Sequence, residues 1–222
     1  MKYIIVDFEM NPIAREHKAE RKICRSEIIE IGAVALNESF DIVGEFKTLV
    51  RPQYNDSIYK KYETLTGITT QMVYGSPKFV KAYDMFVKWC ESYGADYEIY
   101  AWSETDYKQV LAEMELKQYA GKDKFLSFDK WFDFQREFMD KMELEHIMSL
   151  EKALNYACVE YKGHMHDALC DAKNTAELFS IIRNEDKYNM VLKTVKEALK
   201  PKQVSSTLGD MFDFSALMSK LE

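Results

Sequence analysis

Two acidic residues close the first apolar run of the chain, and they limit what the chain can fold into more than any other feature. Asp7 and Glu9 follow the apolar residues 3–6 (Y-I-I-V), a run typical of a buried strand. Because side chains alternate along a strand, both carboxylates should project from the same face of a rigid support. Buried carboxylates are costly unless they are paired or bind a cation, and hard oxygen ligands favour Mg²⁺, Mn²⁺ or Ca²⁺. The pattern predicts a divalent-metal site, although alone it also fits two solvated residues at a fraying strand end.

A second candidate pair, His166 and Asp171, lies near the start of a helical pattern that runs to residue 182. Five residues inside one α-helix would leave the two side chains about 140° apart, too divergent for one site. We therefore expect His166 in a non-helical lead-in, to which Gly163 gives conformational freedom, and Asp171 early in the helix. Small and apolar residues at helical spacing mark the buried side: Ala168, Ala172, Thr175, Ala176, Phe179 and Ile182. The alternative is that Asp167 or Asp171 complements the positive helix end and that His166 is an exposed loop residue.

A third acidic candidate, Asp106, follows the apolar stretch at 97–102 and precedes a helical pattern. The spacing from Ser103 to Asp106 is also that of a capping box, so capping and catalysis explain this residue equally well. Asp106 would approach the first acidic pair only if strand 97–102 lies beside strand 2–9. In α/β sheets, ligand sites form at the carboxyl ends of neighbouring strands.

In content and order, these motifs resemble those of the DEDDh exonucleases, the DnaQ-like superfamily of 3′-to-5′ nucleases with an RNase H-like fold. Residues 27–34 (E-I-I-E-I-G-A-V) are similar to the second strand of that family, and residues 65–69 (L-T-G-I-T) to its loop near the terminal nucleotide. The motifs are most similar to those of the KapD-like branch of exoribonucleases. The resemblance implies an α/β fold, with an RNase H-like mixed sheet flanked by helices.

The resemblance also implies a metal-dependent 3′-to-5′ exonuclease with a two-metal mechanism, whose cofactors are two divalent cations, Mg²⁺ or Mn²⁺. Asp7 would bridge the two ions. The other protein ligands would be Glu9, Asp106 and Asp171. His166 would be the general base that takes a proton from the attacking water, a task suited to an imidazole.

Two neighbours of His166 compete for the role of base. A tyrosine replaces the histidine in a sister branch of the family, but Tyr161 lies five positions before His166. His164 departs from the family's spacing to Asp171, and we expect it in the loop or near the substrate. The spacing to Asp171 therefore favours His166.

Expected substrate contacts follow from the positions of the motifs. Phe8 and Met10 flank Glu9, and the Met10 backbone could meet the 3′-terminal nucleotide. Leu65 and Thr66 resemble the family's wedge and ribose contacts, and the alternative for them is a turn with Leu65 in the core.

The charge balance limits the class of nucleic-acid partner. With 30 Lys+Arg against 37 Asp+Glu, the net charge is −7, which disfavours a protein that binds long duplexes. A nuclease that grips a chain end needs few phosphate contacts, so the expected partner is the 3′ end of single-stranded RNA or DNA. The basic segment at 15–25 could guide the strand, but such a run is more often a solvated loop. Trp102 could stack on a base, although a tryptophan at a strand end is more often core.

The length of 222 residues and the 47% hydrophobic content fit one well-cored domain. Strands are predicted at 2–9, 27–36, 40–50, 97–102 and 126–132, and helices at 76–93, 104–119, 149–158 and 167–183. We expect the nuclease domain over 1–183. Residues 184–222 should add a helix at 185–199 and an apolar tail packed on the same domain, or else a tail that contacts a protein partner or a second subunit.

Four cysteines without a C-x-x-C pair argue against a structural zinc site and show no disulfide framework. The first residues carry no signal-peptide pattern, and no apolar run approaches membrane-spanning length. The sequence therefore predicts a protein of the reducing cytoplasm with no membrane partner.

The leading hypothesis is an exonuclease that releases nucleoside 5′-monophosphates from single-stranded nucleic acid. A preference for RNA or short oligonucleotides follows from the branch resemblance alone. One alternative is a 3′-to-5′ DNA exonuclease of the proofreading or repair type. The other is a non-catalytic nucleic-acid-binding module, which would be expected to have lost ligands.

Overall fold

Five strands form one mixed sheet in the computed structural model, which describes residues 2–119 and 130–198, the side chains of 195–198 excepted. The strands are β1 (Lys2–Pro12), β2 (Ser26–Leu36), β3 (Ile42–Leu49), β4 (Tyr97–Ala101) and β5 (Trp131–Asp133). They lie in the order β3-β2-β1-β4-β5. The pairs β1/β2 and β2/β3 are antiparallel, whereas β1/β4 and β4/β5 are parallel. The α/β class is therefore confirmed, and the predicted strand 97–102 does lie beside the first strand.

Helices cover both faces of the sheet. They are α1 (Glu20–Ile23), α2 (Lys60–Thr66), α3 (Thr70–Tyr74), α4 (Phe79–Glu91), α5 (Glu104–Leu116), α6 (Phe134–Lys141), α7 (Leu150–Tyr156), α8 (Ala168–Arg183) and α9 (Glu185–Ala198). The four helices predicted at 76–93, 104–119, 149–158 and 167–183 are present with shorter ends. The short helices α1, α2, α3 and α6 were not predicted, because one or two turns are too short to show a helical period.

Two local predictions need correction. Leu65 and Thr66 lie in the last turn of α2 and not in a loop, and the turn follows at Gly67, whose φ of 74° ends the helix. The strand predicted at 126–132 is β5 at 131–133, and α6 follows directly because the Asp133 side chain accepts a hydrogen bond from the Arg136 N–H. Residues 126–129 lie outside the described part of the chain.

The alternation of side chains along β1 separates the two layers of the core. Ile4, Val6 and Phe8 face α4 and α5, while Ile5 faces the layer formed with α6, α7 and α8. Asp7 and Glu9 share the parity of Ile5. Both carboxylates therefore leave the sheet on the face that α8 covers.

The chain beyond α8 continues as α9, which packs on the second core layer through Tyr188, Val191 and Leu192. The Tyr188 hydroxyl donates to the Lys141 carbonyl at 2.7 Å. The predicted apolar tail falls on residues outside the described ranges. None of the helices in those ranges has the length and apolar content needed to cross a bilayer.

Candidate active site

The first acidic pair lies opposite β2 near the centre of the sheet. Asp7 is paired with Gly32 and Glu9 with Glu30, and the register shifts just after Glu9. Glu9 is buried, whereas Asp7 is partly exposed. The bulge shifts the β1/β2 register beside the carboxylates, and bulges are common next to active sites.

A cavity of about 260 Å³ opens over these two carboxylates. Its polar side includes His166, Asp171 and Tyr161 in addition to Asp7 and Glu9. Its apolar side includes Trp102, Leu150 and Met165. The cavity is small enough to hold the end of a chain and has one polar and one apolar wall.

The N-terminus of α8 reaches this cavity because Gly32 has no side chain. A Cβ atom at Gly32 would lie 2.1 Å from the Leu169 nitrogen and 2.2 Å from the Ala168 carbonyl carbon. Glu30 fixes the contact, since its Oε2 accepts a hydrogen bond from the Ala168 N–H at 2.9 Å. Lys47 on β3 then joins Glu30 to Asp167, which caps α8 by accepting from the Cys170 N–H.

His166 and Asp171 are placed as the helical-wheel argument predicts. His166 precedes α8 in a left-handed conformation with φ of 62°, and Asp171 lies in the first turn of the helix. The His166 N–H donates to Asp171 Oδ2 at 3.0 Å, and its Nδ1 lies 3.9 Å from Glu9 Oε1. A carboxylate oxygen of Glu9, a ring nitrogen of His166 and a carboxylate oxygen of Asp171 all lie within 4.8 Å of one another. The left-handed conformation of His166 is rare outside glycine and costs of order 1–3 kcal/mol. It places the imidazole beside the carboxylates.

Asp106 lies in the first turn of α5, next to the carboxyl end of β4. Ser103 caps this helix by accepting a hydrogen bond from the Thr105 N–H at 3.3 Å. The carboxylate of Asp106 is buried and receives hydrogen bonds from its own backbone N–H and from that of Phe8 on β1. Capping is thus done by Ser103, and Asp106 joins the acidic cluster without lining the cavity.

The carboxylates of the cluster raise one another's pKa values. Burial, followed by the charges of Asp171 and Glu30, raises the pKa of Glu9 to about 8, and burial is also the main cause that raises the pKa of Asp106 to about 7. Burial and then the neighbouring Asp106 and Asp171 raise the pKa of Asp7 well above its ordinary value.

Within the described ranges, no lysine or arginine forms an ion pair with Asp7, Glu9, Asp106 or Asp171. Four clustered oxygen ligands without a cationic side chain are the donor set that hard divalent cations prefer. The residues present therefore fit such cations.

Tyr161 has a role that the sequence reasoning missed. Its hydroxyl donates to Asp171 Oδ1 at 2.6 Å and also lies 3.2 Å from the carbonyl oxygen of His164. The sequence indicates Tyr161 only as a rival base, and nothing in its spacing predicts that the loop at 157–167 folds back onto α8. His164 itself is exposed in that loop.

The residues predicted to contact substrate are more scattered. The ring of Phe8 lies in the core layer under α4 and α5, so only its backbone borders the cavity, and Met10 packs on the same layer. Leu65 is 39% exposed and therefore not a core residue, while Thr66 is buried and bonded within its own turn. Neither Leu65 nor Thr66 lines the cavity, and their contacts with substrate stay predictions.

Trp102 is both a core residue and part of the cavity wall. Its ring packs against Phe134 and Phe138, and its Nε1 donates to the Met148 carbonyl at 3.3 Å. Only 8% of the residue is exposed, and that part faces the cavity.

Known proteins share this architecture. The RNase_T family model, described as an exonuclease, matches residues 4–179 of the chain. The nuclease domain of 3'hExo, a DEDDh family member bound to rAMP, aligns with a TM-score of 0.70 and 22% identity over 81% of this chain and 90% of that domain. Cell-death related nuclease 4 (CRN-4) aligns with a TM-score of 0.66 and 21% identity, over 85% of this chain and 64% of its own.

A third similar structure is E. coli Exonuclease I in complex with a dT13 oligonucleotide. It aligns with a TM-score of 0.62 and 13% identity, over 85% of this chain and 42% of its own. The chain thus spans less than two thirds of CRN-4 and of Exonuclease I. No curated protein shows significant similarity to the chain. At these identities the structural likeness establishes the fold.

Proposed function

Because the chain belongs to the RNase_T family of exonucleases, we propose that it hydrolyses single-stranded nucleic acid from the 3′ end and releases nucleoside 5′-monophosphates. One observation carries the proposal. Asp7, Glu9, Asp171 and His166 converge on a single cavity, and Asp106 is buried beside them. A non-catalytic binding module would have no need to keep this costly cluster of carboxylates.

The four carboxylates would hold two divalent cations, Mg²⁺ or Mn²⁺. When bound, such a pair supplies an activated water and stabilises the leaving 3′ oxygen. Asp7 would bridge the pair, as the family resemblance implies. Burial and then the charges of Asp106 and Asp171 raise its pKa, as expected for a carboxylate among other carboxylates. Tyr161 would keep Asp171 oriented through its hydroxyl hydrogen bond.

His166 is the proposed general base. Its side chain is 49% exposed at the rim of the cavity, and its Nδ1 lies 3.9 Å from Glu9 Oε1. The imidazole therefore contacts both solvent and the carboxylate cluster. From this position it can accept a proton from a water molecule that attacks the terminal phosphodiester.

The terminal nucleoside would lie against the apolar wall made by Trp102, Leu150 and Met165. The family resemblance implies further substrate contacts, from the backbone at Phe8 and Met10 and from the side chains of Leu65 and Thr66. RNA is the preferred substrate on that resemblance. DNA is the second candidate, because Exonuclease I, a similar structure, holds a dT13 oligonucleotide.

We also propose that the nuclease domain spans residues 1–183 and that 184–222 belong to the same folded unit. The family match ends at residue 179, and α9 packs on the core layer under α8. A protein partner or second subunit held by the tail stays a prediction, since residues 199–222 are not described.

The test is digestion of 5′-labelled single-stranded RNA and DNA of matched sequence with Mg²⁺, Mn²⁺ or EDTA. We expect a metal-dependent ladder that shortens from the 3′ end and is lost in Asp7→Ala and in His166→Ala, with folding retained. Asp186→Ala and His146→Ala are matched controls, because both residues are exposed and neither lines the cavity. Wild-type activity in Asp7→Ala would refute the metal assignment. Binding of the strand without cleavage would favour the binding module.

A further inference from the structure

A second cavity, of about 410 Å³, lies between the end of β3, the helix α3 and the start of α4. It shares no lining residue with the cavity over Asp7 and Glu9. Its lining includes the cationic side chains of Arg51 and Lys78, the ring of Tyr74 and the polar side chains of Gln53 and Asn55. The proposed active site uses none of these residues.

The two cationic side chains that line this cavity are available to bind an anion. Arg51 and Lys78 are exposed, and within the described ranges neither forms an ion pair, even though Asp56 lines the same cavity. The Arg51 guanidinium lies over the Tyr74 ring, 4.6 Å from its centroid, and Tyr74 is 70% exposed. In a chain of net charge −7, two cationic side chains without an ion pair that line one cavity with an exposed aromatic ring form a local attractive site for phosphate.

The start of α4 adds to the positive potential of the cavity. Lys78 is the N-cap residue of this 13-residue helix, and no side chain caps its first turn. Backbone N–H groups at an uncapped helix N-terminus lack partners and favour negative charge. The positive end of α4 therefore lies beside the cavity at Lys78.

The loop that forms this cavity is attached to the strand that carries the catalytic candidates. Asn55 Nδ2 donates to the Pro12 carbonyl at 2.5 Å, and Asn55 Oδ1 accepts from the Ala14 N–H at 2.7 Å. Pro12 lies three residues beyond Glu9 on β1, roughly 10 Å along the strand. The cavity is thus at the same end of β1 as the carboxylate cluster.

We propose that this second cavity binds the phosphodiester backbone of the substrate strand on the 5′ side of the scissile bond, an inference that rests on the proposed function. Proteins that bind single strands combine cationic side chains that follow the backbone with aromatic rings on which bases stack. Arg51, Lys78 and Tyr74 provide both features. The site would explain how an acidic chain holds a polyanionic substrate with few phosphate contacts.

The test compares binding and cleavage in Arg51→Gln/Lys78→Gln. Fluorescence anisotropy in EDTA measures the affinity for a single strand of about 20 nucleotides, longer than one site of this kind covers. We expect an affinity about tenfold lower than that of the wild type, and a salt dependence of log Kd reduced in slope by about 1.4, since each lost phosphate contact on a single strand contributes about 0.7. Cleavage of a dinucleotide without a 5′ phosphate, whose one phosphodiester is the scissile bond, should keep its kcat/KM.

The matched control is Lys88→Gln/Lys193→Gln, which removes the same charge at exposed positions away from the cavity. Unchanged affinity and slope in Arg51→Gln/Lys78→Gln, or equal losses in the control, would overturn the inference. So would an equal loss of dinucleotide cleavage, or a wild type that does not bind the strand in EDTA. Absence of cleavage by the wild type would instead refute the exonuclease proposal, because the binding measurement does not depend on turnover.

Discussion

At the scale of single residues, Asp171 is a carboxylate whose two oxygens each have a fixed donor. Tyr161 donates to Oδ1 at 2.6 Å, and the His166 backbone donates to Oδ2 at 3.0 Å. Burial is the main influence on its pKa and raises it, while these two hydrogen bonds act in the opposite direction. The donors therefore stabilise the charged form that a metal ligand needs and fix its orientation.

Removal of the Tyr161 hydroxyl should weaken metal binding more than it weakens the fold. In Tyr161→Phe we expect the metal concentration needed for half-maximal activity to rise about 10- to 100-fold, as it does when other groups that orient a metal ligand are removed. Activity should recover at high Mn²⁺. The measurement is the exonuclease rate as a function of metal concentration.

Tyr156→Phe is the control, since the Tyr156 hydroxyl makes no hydrogen bond within the described part of the chain. If Tyr161→Phe lost activity at every metal concentration, the hydroxyl would have a role in the chemical step and not in ligand orientation.

The sequence could predict the acidic residues and His166 as candidates, because ligands and bases must be of particular types at particular spacings. It could not predict that Tyr161 bonds to Asp171, which depends on the path of a loop. The sequence pattern equally cannot predict the left-handed backbone of His166, because the hydrogen bond from its N–H to Asp171 forms only in the folded loop.

At the scale of elements, the site depends on how closely α8 approaches β2. Gly32 pairs with Asp7 across the sheet, and the first turn of α8 lies directly over it. The small residues at helical spacing predict α8 itself, but the sequence does not predict which position of β2 the helix approaches. Gly32 reads in the sequence as one residue of an apolar strand, and only the approach of α8 to β2 shows why a side chain cannot fit.

Gly32→Ala should displace α8 and with it Asp171 and His166. An added Cβ at 2.1 Å from backbone atoms cannot be accommodated by a side-chain rotation, so we expect a stability loss of about 1–3 kcal/mol. A shift of about 1 Å at the reacting groups would lower the rate of hydrolysis about 100-fold. Thermal unfolding and the exonuclease rate measure the two effects.

Gly75→Ala is the matched control, because an added Cβ there meets nothing within 4 Å. A fully active Gly32→Ala protein would mean that the position of α8 over the sheet is not required for hydrolysis.

At the scale of the whole molecule, the carboxylate cluster should destabilise the metal-free protein as the pH rises. The pKa of Glu9 rises from 4.5 to about 8 in the folded protein, so the folded state holds this proton more tightly than the unfolded state. The resulting stabilisation is complete below the unfolded value and is lost as the pH rises towards about 8. Asp106, with a pKa raised to about 7, acts in the same direction.

We therefore expect the melting temperature in EDTA to fall more between about pH 5 and pH 8 for the wild type than for Glu9→Gln, which has no proton to lose there. Saturating Mn²⁺ should remove the difference, because the cations neutralise the cluster. Parallel pH profiles for the two proteins in EDTA would contradict the assigned pKa of Glu9.

If the four carboxylates form a two-metal centre, each chain should bind two cations, and calorimetric titration with Mn²⁺ in the presence of a nucleoside 5′-monophosphate measures that number. We predict two Mn²⁺ per wild-type chain and loss of this binding in Asp7→Asn, with Asp186→Asn unchanged. Equal Mn²⁺ binding by the wild type and Asp7→Asn would contradict the account.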